Sequence, residues 1–341
     1  MLQMDGGVAV KKIINQPEHV VSEMLKGIAA AHPSLTLVEE DSVIMRKTLR
    51  NKVALISGGG SGHEPAHAGY VGAGMLDAAV AGNVFSSPSA TQIQNAIAHV
   101  NMGSGVLLII KNYSGDVMNF EMAEEFAQMD GAEVAHVVVD DDVAIEAEEG
   151  STGRRGIAGT VFVHKIAGAA AEAGGSLAEV KAAAEKAIAN VRSMGMAMSS
   201  CILPAVGTPG FSLAEDEIEI GMGIHGEPGI RRAKLMTARE LAGELTGRIL
   251  DSLDYSGSEV AVLVNGLGAT PLMELYIFYH EVERLLADRG VRVYRSYVGN
   301  YMTALEMAGC SLSLLRLDDE LKRLLDAPAD TPAFKQISME A

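Results

Sequence analysis

Short apolar runs alternate with turn-forming residues along the first part of the chain. The runs lie at residues 53–56, 77–81, 106–110 and 134–139, with helical patterns between them at 89–100 and 121–129. Apolar runs of this length without polar alternation are typical of strands that are buried on both faces of a parallel sheet. The repeated order of strand, loop and helix predicts an α/β layer fold.

A second series of the same kind follows a proline- and glycine-rich segment at residues 204–210. Before that segment, an alanine-rich helical pattern covers residues 159–198 and is broken at Gly174-Gly175. After it, capping-box patterns at Thr237 and Thr303 predict two helix starts. The later predicted strands cover residues 217–222, 260–264, 291–298 and 311–317.

The break in the pattern predicts how the chain divides. Clusters of proline and glycine interrupt regular structure, and a chain of 341 residues is long enough for roughly two domains. We therefore expect two α/β domains, residues 1–200 and residues 201–341, each with a mainly parallel or mixed sheet. The first domain should be doubly wound, because helices alternate with its strands.

Charge and cysteine content exclude some classes of protein. The 27 Lys and Arg residues are outnumbered by 44 Asp and Glu residues, which gives a net charge of −17. An acidic chain without a basic run does not attract a nucleic-acid backbone, so we expect no direct nucleic-acid binding. Cys201 and Cys310 are too few for a disulfide framework. No stretch has the length of a membrane span or the apolar core of a signal peptide, so we expect a cytoplasmic protein without membrane contact.

A glycine-rich segment at residues 57–65 follows the first predicted strand. Ligands of open α/β sheets bind beyond the carboxyl ends of the strands, where this segment would lie. It is not a Walker A loop, and His63 occupies the third glycine position of a dinucleotide fingerprint. His63 and His67 have the spacing of a zinc-protease motif, but Pro65 breaks the helix that such a motif needs, and we expect no metal site. The segment is either a tight turn or a ligand loop that carries His63.

Two further loops hold candidate chemistry. Residues 111–116 follow a buried strand, and Asp116 is either a general base or a helix N-cap. Residues 221–229 place His225 next to glycine, where a neutral imidazole can act as a nucleophile or can be structural. The aspartate run at residues 140–142 is interpreted as a solvated strand end rather than a metal site.

Several motifs together resemble the substrate-binding subunit of dihydroxyacetone kinase. They are Gly-Gly-Gly-Ser-Gly-His-Glu-Pro at 58–65, Lys-Asn-Tyr-Ser-Gly-Asp at 111–116, Gly-Arg-Arg-Gly at 153–156 and Gly-Ile-His-Gly-Glu-Pro-Gly at 223–229. The resemblance extends from about residue 11 to about residue 334, and the two histidine motifs are its most specific part.

The resemblance implies a role for each matched residue. His225 is expected to bind the ketone covalently as a hemiaminal, and Asp116 to act as the general base. His63 is expected to hydrogen-bond the substrate and to stabilise the adduct. The remaining substrate contacts implied by the family are Gly60, Ser61, Gly62 and, through its backbone, Lys111.

The resemblance also implies partners. This chain is expected to carry no cofactor, to form a homodimer and to bind dihydroxyacetone. Because it has neither a Walker loop nor the helical nucleotide-binding module of the single-chain kinases, we expect ADP or ATP and magnesium on a separate ADP-binding subunit. That subunit would receive its phosphate from phosphoenolpyruvate through a phosphotransferase relay.

Two alternatives stay open at the level of sequence. Some paralogues of this subunit bind triose without catalysis and control a transcription factor. The substrate could also be another short ketose such as erythrulose, since pocket size decides that choice and the sequence does not give it.

Overall fold

The structure, a computed structural model, describes residues 11–145 and 153–337. The prediction that the chain has no signal peptide concerns residues 1–10 in part, and these residues lie outside the described ranges. The first half contains a six-stranded sheet in the order β1-β2-β4-β3-β5-β6. Its strands are β1 (Leu35–Val38), β2 (Val43–Arg46), β3 (Ala54–Ser61), β4 (Ala78–Val84), β5 (Val106–Lys111) and β6 (Val134–Val139).

Strands β3 to β6 are parallel, and β2 runs antiparallel to both of its neighbours. Every residue of β3 and β5 is buried, as their apolar composition predicts. Side chains of these strands alternate between two helical layers, since Leu55 and Leu107 face one layer while Ile56 and Leu108 face the other. Helices therefore cover both faces, and the expected doubly wound first unit is confirmed.

The helices of this half are α1 (Val20–Ala31), α2 (Ala90–Val100), α3 (Ser114–Met129), α4 (Thr160–Glu172) and α5 (Leu177–Asn190). Helices α2 and α3 pack on one face of the sheet, and α1, α4 and α5 pack on the other. Capping boxes at Ser89 and Ser176 start α2 and α5, because each serine accepts the backbone N–H three residues on.

The second half contains another six-stranded sheet, in the order β11-β10-β12-β7-β8-β9. Its strands are β7 (Val191–Ala197), β8 (Glu217–Ile220), β9 (Arg231–Lys234), β10 (Glu259–Gly266), β11 (Arg292–Gly299) and β12 (Gly309–Leu317). Only β10 and β11 pair in parallel, so this sheet is mixed. The remaining elements are α6 (Ala238–Ser252), α7 (Leu272–Asp288), α8 (Asp319–Asp326), β13 (Ala329–Asp330) and β14 (Lys335–Gln336).

One helical layer is common to both sheets. Helices α4, α5 and α8 share a single core with Leu55 of the first sheet and with Leu263 and Leu315 of the second. Helices α6 and α7 cover the outer face of the second sheet. The division into residues 1–200 and 201–341 stays a prediction, and the structure adds that the second sheet already includes β7.

The helical pattern at 159–198 forms α4 and α5 with the predicted break between them, but it was predicted to extend too far, and a second predicted helix is wrong. The helical pattern at 159–198 ends at Asn190, because residues 191–197 pair with β12 as a buried strand. Thr303 starts no helix, because Leu305 two residues on has a left-handed φ of 55°, and the hydroxyl of Thr303 donates to the backbone oxygens of Gly62 and Glu64. Thr237 does start α6 through a capping box, as predicted. No helix in the described part of the chain has the length and apolar run that crossing a membrane requires.

Candidate active site

The predicted site residues meet at the carboxyl ends of β3 and β5. From β3 the chain continues to β4 on one side, and the following crossover leads to β5 on the other side. Open α/β sheets bind ligands at such a reversal of strand order, because the loops diverge there and leave a crevice. Strand β3 brings His63, β5 brings Lys111 and Asp116, and the loop after β8 brings His225 to the same place, with its ring centroid 4.7 Å from that of His63.

His225 is held in one orientation by Glu227. Its Nδ1 lies 2.8 Å from Oε1 of Glu227, and its backbone N–H donates to Oε2 at 3.0 Å. A carboxylate only accepts, so Nδ1 carries the proton and a neutral ring has its lone pair on Nε2. Burial raises the pKa of Glu227, but the hydrogen bond and the charge of His225 outweigh burial and lower that pKa to about 2. The ionised carboxylate therefore persists beside the ring.

Aromatic rings fix the imidazole of His225 from the sides. The ring of Tyr113 lies 4.6 Å away, and the ring of Phe85 lies 5.2 Å away, both edge to face. The side chain keeps 18% of its surface exposed, so a small ligand can reach it. Nε2 of His225 has no hydrogen-bond partner in residues 11–145 and 153–337. In the neutral form of the ring, this arrangement leaves the lone pair of Nε2 free to react.

His63 is completely buried, and its ring lies next to that of His225. Its Nδ1 donates to the backbone oxygen of Thr303 at 2.7 Å, and its ring stacks on Phe85 with centroids 5.0 Å apart. Burial first, and then the charges of His225 and Lys111, hold the pKa of His63 well below its usual value. The ring is therefore neutral at neutral pH, and its Nε2, which has no partner within the described residues, is an acceptor.

Lys111 and Asp116 form a buried ion pair at the start of α3. Nζ of Lys111 lies 3.0 Å from Oδ2 of Asp116, and both side chains are almost fully enclosed. The N-cap of α3 is Tyr113, and no side chain caps this helix, so the N-cap alternative for Asp116 is wrong. Oδ1 of Asp116 has no hydrogen bond in the described chain, which leaves one carboxylate oxygen available to a hydroxyl group.

Gly59 makes room for this ion pair. A Cβ at Gly59 would lie 2.5 Å from Nζ of Lys111 and 3.2 Å from Oδ2 of Asp116. A side chain at this position would therefore displace the lysine from the aspartate. This packing role of Gly59 was not predicted, because the sequence does not show which side chains lie over the glycine.

The other glycine-loop residues shape the backbone. A Cβ at Gly60 would lie 2.6 Å from the backbone nitrogen of Ser86, so glycine is needed for this close approach. The hydroxyl of Ser61 donates to the backbone oxygen of Gly82 at 2.8 Å. The backbone N–H of Gly62 donates to both oxygens of Glu64 at 3.1 Å. Direct contact of Gly60, Ser61 and Gly62 with substrate stays a prediction.

Two residues of the aspartate run, Asp141 and Asp142, are buried, so the interpretation of the run as a solvated strand end is wrong for these two. Asp141 accepts the backbone N–H groups of Ile157 and Gly159. Asp142 accepts from Nε of Arg155 at 2.9 Å, and Nη2 of Arg155 donates to the backbone oxygen of Gly221 at 2.8 Å. Burial raises the pKa of Asp142 to about 6, although the charge of Arg155 opposes it.

A family model described as the Dak1 domain matches residues 26–333, which include all of these site residues. The chain belongs to the Dak1 family. The "PTS-dependent dihydroxyacetone kinase 1, dihydroxyacetone-binding subunit DhaK" of Listeria innocua is 55% identical over 329 residues, covering 95% of this chain and all of the relative. The corresponding subunit of Lactococcus lactis is 52% identical over 313 residues, covering 91% of this chain and 94% of the relative.

A solved structure of the family has the same fold. The "Dihydroxyacetone kinase operon co-activator Dha-DhaQ" is 40% identical to this Dak1 chain, with a TM-score of 0.88. The alignment covers 92% of this chain and 98% of that one. The resemblance to dihydroxyacetone kinase that the motifs indicated is confirmed, and so is the α/β fold class.

Sequence reasoning missed several residues of this Dak1 site. Glu227 lies two positions after His225 in the motif Gly-Ile-His-Gly-Glu-Pro-Gly, but no role was predicted for it. Tyr113 lies in the motif at residues 111–116, but its side chain has neither a charge nor a nucleophile that would indicate a role. Phe85 lies in none of the motifs. Residues 63–67 form turns rather than a helix, and the described ranges contain no group of three or more potential metal ligands.

Proposed function

We propose that this chain is the dihydroxyacetone-binding subunit of a kinase and captures the ketone on His225. The observation that carries the proposal is the pairing of His225 with Glu227, which leaves Nε2 as a free nucleophile beside His63. The names of the most similar relatives support the choice of substrate. We also propose that this chain carries no cofactor and that a separate subunit supplies the nucleotide and magnesium.

The capture step uses the lone pair on Nε2 of His225. This nitrogen attacks the carbonyl carbon, the π electrons of the C=O bond move to oxygen, and the oxygen takes a proton from solvent to give a hemiaminal. The neutral Nε2 of His63 accepts a hydrogen bond from a hydroxyl of the adduct. Glycerol has no carbonyl group, so covalent capture selects the ketone where the shape of so small a molecule gives little discrimination.

The transfer step uses Asp116 as general base. Its carboxylate takes the proton of the substrate hydroxyl as that oxygen attacks the terminal phosphorus of the ATP held by the partner. The bond from that phosphorus to the bridging oxygen breaks, ADP stays on the partner, and reversal of the hemiaminal releases the product from His225. Covalent attachment supplies positioning, from which much of a phosphoryl-transfer rate derives. The product is dihydroxyacetone phosphate, and the partner's nucleotide is rephosphorylated through the phosphoenolpyruvate relay.

The test is reconstitution. The purified chain is mixed with dihydroxyacetone and an ADP-loaded nucleotide-binding subunit, together with phosphoenolpyruvate and the relay proteins. We expect dihydroxyacetone phosphate to form only in the complete mixture. Turnover by this chain with ATP and magnesium alone would contradict the assignment of the nucleotide to another subunit.

A second candidate function is a non-catalytic triose sensor. It is favoured by the similarity to the operon co-activator, which matches this chain over nearly its full length. The presence of His63, Asp116 and His225 together favours the kinase. Adduct formation without turnover in the complete mixture would identify a sensor, and competition with erythrulose would determine whether a four-carbon ketose is preferred. The expected homodimer and cytoplasmic location stay predictions.

A further inference from the structure

Glu227 makes two contacts with one residue, His225. Its Oε1 accepts from Nδ1 and its Oε2 accepts from the backbone N–H of the same histidine. A carboxylate bound in this way fixes both the rotation of the ring and the position of the backbone that carries it. The imidazole cannot turn its Nδ1 edge toward a ligand without breaking the contact.

The surroundings of Glu227 keep the carboxylate in place. A Cβ at Gly223 would lie 2.5 Å from Oε2 of Glu227 and 2.8 Å from Nη1 of Arg155. A side chain at this position would therefore collide with both groups. Arg155 is itself fixed by Asp142 and by the backbone oxygen of Gly221. A rigid positive charge therefore lies beside Glu227 and favours its ionised form.

Glu64 provides a contrast within the same molecule. Both glutamates precede a proline, and both accept a backbone N–H two residues earlier in the chain. In the part of the chain that the structure describes, both oxygens of Glu64 accept from the backbone N–H of Gly62. Glu227 divides its oxygens between the backbone and an imidazole nitrogen. A role in stabilising the turn explains the hydrogen bonds of Glu64. It does not explain why Glu227 also binds the imidazole of His225.

We infer that Glu227 is a positioning residue that makes His225 the ketone-capturing nucleophile. This inference rests on the proposed function. In the free protein Glu227 fixes the proton on Nδ1 and so exposes the lone pair of Nε2. When Nε2 bonds to the carbonyl carbon and the carbonyl oxygen takes a proton from solvent, the ring keeps its Nδ1 proton and becomes positive. The adjacent carboxylate then neutralises that charge.

The experiment has two readouts on the full-length protein. The tautomer of His225 is read without ligand from two-dimensional NMR spectra of ¹⁵N-histidine-labelled protein, and the adduct is quantified with dihydroxyacetone by native mass spectrometry. The variants are Glu227→Gln, which keeps the shape and an acceptor oxygen, and Glu227→Ala, which removes both. The matched control is Glu219→Gln, because Glu219 holds the same loop through the backbone N–H of Gly229 at 3.0 Å and does not touch His225.

We expect the Nδ1–H tautomer in the wild-type protein and its loss in both variants. In Glu227→Gln the backbone N–H of His225 takes the single amide oxygen, so the amide NH2 faces Nδ1 and favours the Nε2–H tautomer, and in Glu227→Ala no acceptor is left. Adduct affinity should fall by about 10- to 100-fold in both variants. The control should keep both the tautomer and the adduct.

Three results would overturn the inference: an Nε2–H tautomer in the wild-type protein, an unchanged adduct in Glu227→Ala, or equal losses in the control. Failure of the proposed function is distinguishable from these. If wild-type protein captures no ketone, the capture step is wrong, and the tautomer measurement still decides whether Glu227 positions His225.

Discussion

At the scale of single residues, the buried pair of Lys111 and Asp116 determines how the general base can be tested. Removing one partner of a buried ion pair leaves an uncompensated charge and costs about 3–5 kcal/mol. A variant of Asp116 must therefore keep an oxygen opposite Nζ of Lys111. Asparagine meets this condition, but it removes the negative charge of Asp116 together with the ability to take a proton, so the variant is expected to fold with reduced stability.

Asp116→Asn should abolish phosphoryl transfer and leave ketone capture intact. Loss of a general base typically lowers a rate by about 10²- to 10⁴-fold, while capture depends on His225. Turnover in the reconstituted kinase and adduct mass in the isolated chain measure the two effects separately, with a thermal melt to confirm folding. Wild-type turnover in this variant would remove Asp116 from the mechanism.

The residues found by sequence and those missed differ in one respect. His63, Asp116 and His225 are polar residues next to glycines, in segments that follow strands of the two sheets, and this pattern predicts a ligand site at a sheet edge. Phe85 and Gly59 act through packing across the site. Such contacts depend on which loops meet in space, and no single segment contains that information.

At the scale of elements, the glycines of β3 decide how closely the strand approaches its surroundings. Gly59 is overlain by Nζ of Lys111, whereas nothing lies within 4 Å of where a Cβ would stand at Gly243 in α6. The two positions therefore allow the same substitution to be compared in a crowded strand and on an open helix.

Gly59→Ala should destabilise the protein by about 1–3 kcal/mol and reduce transfer, because Gly59 has a φ of 151° that alanine rarely adopts and because the new methyl group pushes Lys111 away from Asp116. Gly243→Ala should stabilise the protein by about 0.5–1 kcal/mol, since alanine loses less conformational freedom in a helix. Urea denaturation of both variants provides the measurement. A Gly59→Ala protein as stable as wild type, with full activity, would show that the ion pair tolerates the methyl group.

The capping-box patterns at Ser176 and Thr237 start helices, whereas the pattern at Thr303 does not. Ser176 and Thr237 accept the expected backbone N–H groups, and helices begin there. Thr303 has the same local sequence pattern, but its hydroxyl binds the glycine loop far away in the chain. Strand β7 escaped prediction for a similar reason, because its pairing with β12 outweighs the helical pattern of the residues before it.

At the scale of the whole molecule, the shared helical layer buries histidines that the proposed mechanism does not use. His164 of α4 packs against His67, with ring centroids 5.3 Å apart. Burial, and then the charge of Lys111, lowers the pKa of His164 to about 3. Burial also holds the pKa of His67 and that of His63 well below the usual value.

The free energy of unfolding should therefore fall as pH drops below about 6.5. In this range the unfolded chain protonates these histidines while the folded protein keeps them neutral, so acid favours unfolding, by up to about 1.4 kcal/mol per pH unit for each histidine. For His164 the effect continues down to its folded pKa of about 3.

His164→Leu should reduce this pH dependence by about 1 kcal/mol per pH unit between pH 6 and pH 5. Urea denaturation at a series of pH values measures the slope. His280→Asn is the control, because His280 is exposed on α7 and should leave the slope unchanged. An unaltered slope in His164→Leu would mean that His164 is protonated in the folded protein.

The arrangement of the whole molecule was the least predictable part. Apolar runs predicted strands β3 to β6 of the first sheet and the helices α2 and α3, but they did not predict β1 and β2. The antiparallel pairings of β12 with β7 and β10 join segments that lie far apart in the chain, and the shared layer depends on α4 and α5 presenting apolar residues to both sheets. No local pattern distinguishes a helix packed on one sheet from a helix packed between two.

The measurement that tests the central claim most directly is native mass spectrometry of the purified chain with dihydroxyacetone. We predict a gain of one triose per chain in the wild-type protein, no gain in His225→Ala and no gain with glycerol. Retention of the adduct in His225→Ala would contradict the assignment of His225 as the nucleophile. Absence of any gain, with dihydroxyacetone and with four-carbon ketoses alike, would contradict covalent ketone capture by this chain.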